Sequence, residues 1–179
     1  MSFSQYLQRN QKAILKEWFQ SVVETYPEET AKFLKKEKDP FANPVGRSIL
    51  EGIEGVFRQI LEGLPSDDVL AFLDRIVRVR AVQDFTPAQA VGFMFALKDV
   101  VRSQTDKDGL TTQYAADLVG FDRTVDRAAL MAFNIYMECR ENLYQLRVDE
   151  IKNRTGRLLE RANAIWESRR AEGGSREES

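Results

Sequence analysis

The chain contains no histidine. That absence removes imidazole chemistry: no Ser-His or Cys-His nucleophile, no histidine-ligated zinc, no HExxH site, and no proximal histidine for a globin haem. A single cysteine, Cys139, forms no intramolecular disulfide, so the fold does not depend on an oxidising compartment. With no base near it in sequence, it reads as a small buried hydrophobe on a helix. Only five prolines and ten glycines punctuate 179 residues, which favours long helices over many short strands. No run approaches the ~18 apolar residues of a membrane span. Gln5, Gln8, Arg9 and Asn10 occupy the stretch where a signal peptide needs an apolar core. A cytoplasmic protein without membrane insertion is the expectation. The net charge of −2 supplies no basic field for nucleic acid or for anionic lipid.

What is present is helical periodicity. With 43% hydrophobic residues, the chain carries one ordinary core. Leu7, Ile14, Leu15, Trp18, Val22 and Tyr26 recur at steps that share one face and predict a first helix over 3–25. Pro27 ends it and opens a short second helix to about Lys38, with Glu28 and Glu29 at its positive end. Two prolines, Pro40 and Pro44, make the following loop extended and stiff. A third helix over 44–64 places Val45, Ile49, Ile53, Val56, Ile60 and Leu64 on one stripe, and its Gly46, Gly52 and Gly55 predict close approach of another helix. Ser66 signals the start of a fourth helix reaching about Asp84, and Thr86-Pro87 caps a fifth. The fifth is apolar almost all round through Val91, Phe93, Met94, Phe95, Leu97, Val100 and Val101, and is expected to be central and buried. A helix over 114–119 leads into another over 121–170. In its second half Tyr144, Val148, Ile151, Thr155, Leu158, Ala162 and Ile165 form a heptad seam, which implies helix-helix packing beyond the compact body. The expected organisation is a helical body over 1–140, an extended helix over 141–170 and a disordered tail over 171–179.

Three groups of residues are candidate sites. On a helical wheel Arg80 and Gln83 fall on the apolar stripe of Val69, Phe72, Leu73 and Ile76, with Asp84 one turn after Arg80. A charge on the core side needs a partner. Arg80, Gln83 and Asp84 therefore form either a polar cluster that binds an anion or holds a switchable contact, or simply an Arg80–Asp84 pair with Gln83 capping a loop. Phe93, Met94, Phe133 and Tyr136 either line a small apolar pocket or pack in the core. Tyr144, Val148, Ile151, Leu158, Leu159, Ile165 and Trp166 offer a partner or dimer helix. Its flanks carry Arg147, Arg154 and Arg161 opposite Gln145, Lys152, Leu159 and Trp166. The seam alone is thus too weak for a parallel pair; it needs help from the body or an acidic partner surface, or else it is a solvated helix packed on its own domain. Asp106-Lys107-Asp108-Gly109 lacks the remaining ligands of a calcium loop and reads as a turn. No residue set implies a metal or cofactor.

Several strings carry a family resemblance. They are Ile14-Leu15-Lys16-Glu17-Trp18, Thr25-Tyr26-Pro27, Asp39-Pro40-Phe41-Ala42-Asn43-Pro44-Val45-Gly46, Arg78-Val79-Arg80-Ala81-Val82-Gln83-Asp84-Phe85-Thr86-Pro87-Ala88-Gln89-Ala90-Val91-Gly92-Phe93, and Tyr136 with Arg140-Glu141. Over residues 14–150 the chain resembles the N-terminal domain of RsbR/RsbRD proteins, RsbT co-antagonists of bacterial stressosomes. The resemblance implies an all-α, globin-like bundle that binds no haem. It also implies a dimeric stress-sensing domain whose state passes along the terminal helix to a STAS output domain. No STAS segment follows here, so a free-standing input domain is expected, without shell assembly or output phosphorylation. The reading is a non-catalytic regulatory or sensory module without cofactors, a homodimer that signals by protein contact, with a small-molecule ligand as an open input. The rival reading is a constitutive adaptor that docks an enzyme or membrane complex through the Tyr144–Trp166 strip. A haem or flavin enzyme with Tyr136, Met94 or Cys139 on iron is a third reading, which an absorption spectrum checks.

Overall fold

The computed structural model describes residues 1–36, 42–64, 68–83 and 85–174, with side chains described through residue 167. Among these the chain is all-α, with seven helices and no strand. Helix α1 (Phe3–Arg9) starts at a capping box formed by Ser2 and Gln5. The single helix expected over 3–25 is broken at Asn10, whose Nδ2 donates to the Tyr6 carbonyl at 3.1 Å. A short amide that bonds a nearby carbonyl competes with the helical ladder, and α2 (Gln11–Val23) restarts after it. Both stripes still reach the core: Tyr6, Leu7, Ile14, Leu15, Trp18 and Val22 are buried.

Helix α3 (Glu28–Lys36) begins with Glu28 and Glu29 and ends with Lys35 and Lys36, charges that match the helix dipole at each end. Helix α4 (Pro44–Leu61) is capped by Asn43, whose Oδ1 accepts from the Gly46 amide at 2.8 Å. Helix α5 (Asp68–Val82) stops short of the end expected near Asp84. The Ser66 cap, the Pro40 stretch and Asp84 lie outside the described residues. Helix α6 (Pro87–Lys107) opens with a Thr86/Gln89 capping box. Helix α7 (Ala115–Gly174) is continuous where two helices were expected to abut, and it includes Ala171 to Gly174, where the sequence predicts a tail. No break occurs at Gly120, because an isolated glycine costs only about 1 kcal/mol in a helix interior.

The chain divides into two compact units, Met1–Cys139 and Arg140–Ser179. In the first, α4 packs on α5 through its glycines. A methyl group added at Gly55 would stand 2.2 Å from the Phe72 ring, and one at Gly52 would stand 2.5 Å from Ile76 Cγ1. The close approach of another helix predicted from Gly46, Gly52 and Gly55 is realised at Gly52 and Gly55, whereas Gly46 packs instead on the side chain of its own cap, Asn43. Helix α2 packs on α6 through Trp18, which is fully buried, stacks on Phe93 with ring centroids 6.1 Å apart, and donates from Nε1 to the Phe93 carbonyl at 2.7 Å. Helix α6 is less enclosed than its composition predicts: Phe93, Met94 and Leu97 are buried, but Phe95 is 47% exposed. Its outer face instead carries Lys98, which pairs with Asp126 and lies over the Phe95 ring. In the second unit, Tyr144, Val148, Ile151, Leu158, Leu159, Ile165 and Trp166 are all exposed.

Candidate functional site

Arg80 occupies the last turn of α5 on the same stripe as Val69, Leu73 and Ile76, and is itself fully buried. The helical period forces this placement: a residue seven after Leu73 returns to the core face. Its guanidinium sits in a cage of rings from three segments, 4.5 Å from the Phe85 centroid, 5.3 Å from Tyr26 and 5.7 Å from Phe93. Nη2 donates to Thr25 Oγ1 at 2.5 Å and to the Gln89 carbonyl at 3.1 Å. The Thr25 hydroxyl donates onward to the Val22 carbonyl at 2.6 Å, which leaves its oxygen free to accept. Tyr26 and Phe85 meet edge to face with centroids 5.0 Å apart.

Among the described residues this charge has no carboxylate partner within salt-bridge distance. Arg80 Nε and Nη1 are buried and make no hydrogen bond, and neither does the buried Tyr26 hydroxyl. Ring faces stabilise a desolvated guanidinium by about 2 kcal/mol each, but they satisfy no N–H direction. Burial lowers the Arg80 guanidinium from its ordinary value, with the opposing Tyr26 contribution smaller. Burial raises the Tyr26 phenol, and the Arg80 charge opposes that only in part. Arginine remains protonated at such a site. The cage thus holds a cation with spare donors.

One strut ties the cage to α7. Tyr136 donates its hydroxyl to the Phe85 carbonyl at 2.5 Å, while the Phe85 ring covers the guanidinium. Trp18 fixes the opposite wall through Phe93.

The structure brings only part of the sequence-predicted cluster together. Gln83 is exposed and contributes no side chain to the cage, and Asp84 lies outside the described residues. The sequence reading missed Thr25, Tyr26, Phe85 and Gln89, although all four stand in the strings that carried the family resemblance. Nor do Phe93, Met94, Phe133 and Tyr136 meet in any pocket among the described residues. Phe93, Met94 and Tyr136 are core residues, whereas Phe133 lines a separate apolar groove of about 670 Å³ with Pro87, Val91, Phe95, Ala129 and Leu130. Phe133 is 41% exposed on the same helix that buries Tyr136. Cys139 is buried, and its thiol is pushed up by burial, which keeps it protonated and unreactive at neutral pH. Among the described residues no cluster of Cys, Asp or Glu is arranged to hold a metal ion, and no helix is long and apolar enough to cross a membrane.

A family model, the RsbT co-antagonist protein rsbRD N-terminal domain, matches residues 12–151. The chain belongs to this family. The match takes in every residue of the Arg80 cage and both walls that hold it, so the cage lies within the RsbRD N-terminal domain proper. It also takes in Tyr144, Val148 and Ile151, and stops before Leu158, Leu159, Ile165 and Trp166. No curated protein and no solved structure matches the chain.

Proposed function

We propose that this RsbRD N-terminal domain is a non-catalytic, cytoplasmic sensory module that acts by protein contact through the second half of α7, with the globin-like arrangement its family resemblance implies. The observation that carries the reading is the row of exposed apolar side chains on that helix: Tyr144, Val148, Ile151, Leu158, Leu159 and Trp166 each present between 42% and 69% of their surface. A contiguous apolar strip of this kind marks an interaction surface, because water would otherwise order along its whole length. Family membership supports a regulatory role linked to the stressosome. The input is a shift between two packings of the Met1–Cys139 unit, and the strip presents the difference to a second copy of the chain and to a protein partner.

Sedimentation of the full chain beside an Ile151→Glu/Leu158→Glu double variant tests this. The wild type should sediment as a dimer over micromolar concentrations, and the variant, with two charges in the seam, should shift to monomer while keeping its helical circular dichroism. Identical masses for the two proteins would remove the strip from the dimer contact.

A further inference from the structure

The Arg80 cage has the properties of a receptor site whose ligand is a countercharge. A cation removed from water keeps its full desolvation cost unless an anion or a complete set of acceptors replaces the solvent. Here two acceptors are supplied, Thr25 Oγ1 and the Gln89 carbonyl, both to the same nitrogen. Nε, Nη1 and the Tyr26 hydroxyl remain as buried donors without acceptors among the described residues. Three ring centroids lie 4.5–5.7 Å from the guanidinium carbon, but the rings accept no hydrogen bond along the Nε and Nη1 donors, so only a further acceptor completes the set. The site is also close to solvent: Thr25 and Gln89 are exposed and Phe85 is half-buried, although Arg80 itself is covered.

We propose that Arg80 is the receptor group for a small oxyanion, a carboxylate or a phosphate, that enters beside Phe85 and pairs with the unused guanidinium donors, with the Tyr26 hydroxyl as a further donor in the cage. Oxyanions suit the site because the guanidinium fork matches their geometry and because donors, not acceptors, are in surplus. An anion that enters beside Phe85 shifts that half-buried residue, whose carbonyl Tyr136 holds. Occupancy of the cage is thereby communicated to α7. The binding site stands on the cage geometry alone; only its regulatory consequence rests on the sensory reading above.

The chain supplies its own reporter. Of its two tryptophans, Trp18 stacks on the Phe93 wall of the cage and Trp166 is 69% exposed. In a Trp166→Phe background, Trp18 emission is titrated with sodium acetate and with inorganic phosphate, each against chloride at constant ionic strength. A saturable change with one or both oxyanions is expected, and the responding salt distinguishes a carboxylate ligand from a phosphate. Arg80→Met should weaken it by about tenfold or more, the loss expected for charge-assisted hydrogen bonds. Tyr26→Phe, which keeps the ring and removes only the hydroxyl, should weaken it several-fold and guards against misfolding of the arginine variant. Absence of any saturable response overturns the proposal, as does a response that survives Arg80→Met in a folded protein. A silent wild type beside a responsive Asp84→Asn variant also overturns it, by showing that the chain provides its own carboxylate. Oxyanion binding that leaves the sedimentation of the full chain unchanged would retain the site and count against the sensory reading; the reverse pattern would retain the module and remove this ligand.

Discussion

Arg80 illustrates how a single residue can oppose the rule that shapes its neighbours. Its helix turns it inward with Leu73 and Ile76, and the rings of Tyr26, Phe85 and Phe93 accept it, yet two of its nitrogens are left unbonded. Replacing buried ion pairs by well-packed hydrophobes of similar volume is often neutral or stabilising by about 1–4 kcal/mol, and a buried cation with two unbonded nitrogens carries the same desolvation cost. Arg80→Met should therefore keep or raise the urea midpoint in buffer free of oxyanions; a loss of several kcal/mol would mean that the cage already satisfies the cation. A second residue-scale prediction concerns alkaline pH. Tyr6 has its phenol raised by burial first and then by its 2.7 Å hydrogen bond to Asp108, and Tyr26 is raised by burial. Below the ordinary phenol value of about 10 both side chains are neutral whether the chain is folded or not. Above it the unfolded chain gives up these protons first, so their contribution is lost as pH rises through the raised folded values. Denaturation midpoints should be flat from neutral pH to about 9.5 and then fall, less steeply in a Tyr26→Phe variant. At this scale the sequence showed that an arginine stood on an apolar face. The cage itself was hidden, because Tyr26 is distant in the chain and because Phe85 and Phe93 reach Arg80 only through the turn between α5 and α6, which the helical period does not describe.

At the scale of elements, local chemistry set most boundaries. Thr86 and Gln89 cap α6, Asn43 caps α4 ahead of Pro44, and paired charges flank α3, all legible from a few adjacent residues. Asn10 was not legible as a break, since the apolar period continues across it and only the bond to the Tyr6 carbonyl reveals the interruption. Two of the three glycines read as a contact surface, Gly52 and Gly55, face α5, whereas Gly46 serves the Asn43 cap. At Gly55 a methyl group would overlap a ring edge of Phe72 and would require α5 or the ring to shift. Gly55→Ala should cost about 1–3 kcal/mol despite the better helix propensity of alanine, measured by urea unfolding. Gly92 has open space where a methyl group would go, and Gly92→Ala should be stabilising by up to about 1 kcal/mol. Equal responses at the two positions would dismiss close packing as the reason for Gly55.

Across the whole molecule, apolar residues of similar type have opposite fates. Ile53 and Ile76 are fully buried, whereas Ile151 is 64% exposed and Trp166 is 69% exposed. Ile53→Ala should cost about 2–5 kcal/mol, and Ile151→Ala should lie within about 0.5 kcal/mol of wild type at concentrations where the chain is monomeric. A large loss at Ile151 under those conditions would mean that its exposure is not that of the folded monomer. From composition and period alone, the chain was committed to helices, to chemistry without imidazole and to a heptad seam late in its last helix, because each of these depends on residue type and on spacing within a turn or two. Only the tertiary structure decided that Tyr26, Phe85 and Phe93 enclose Arg80, that Phe133 faces a groove while Tyr136 reaches Phe85, and that Phe95 stays at the surface. Those outcomes depend on which helix faces approach one another, and that is settled by burying the most apolar area with the fewest clashes, a sum over distant residues that no local pattern contains.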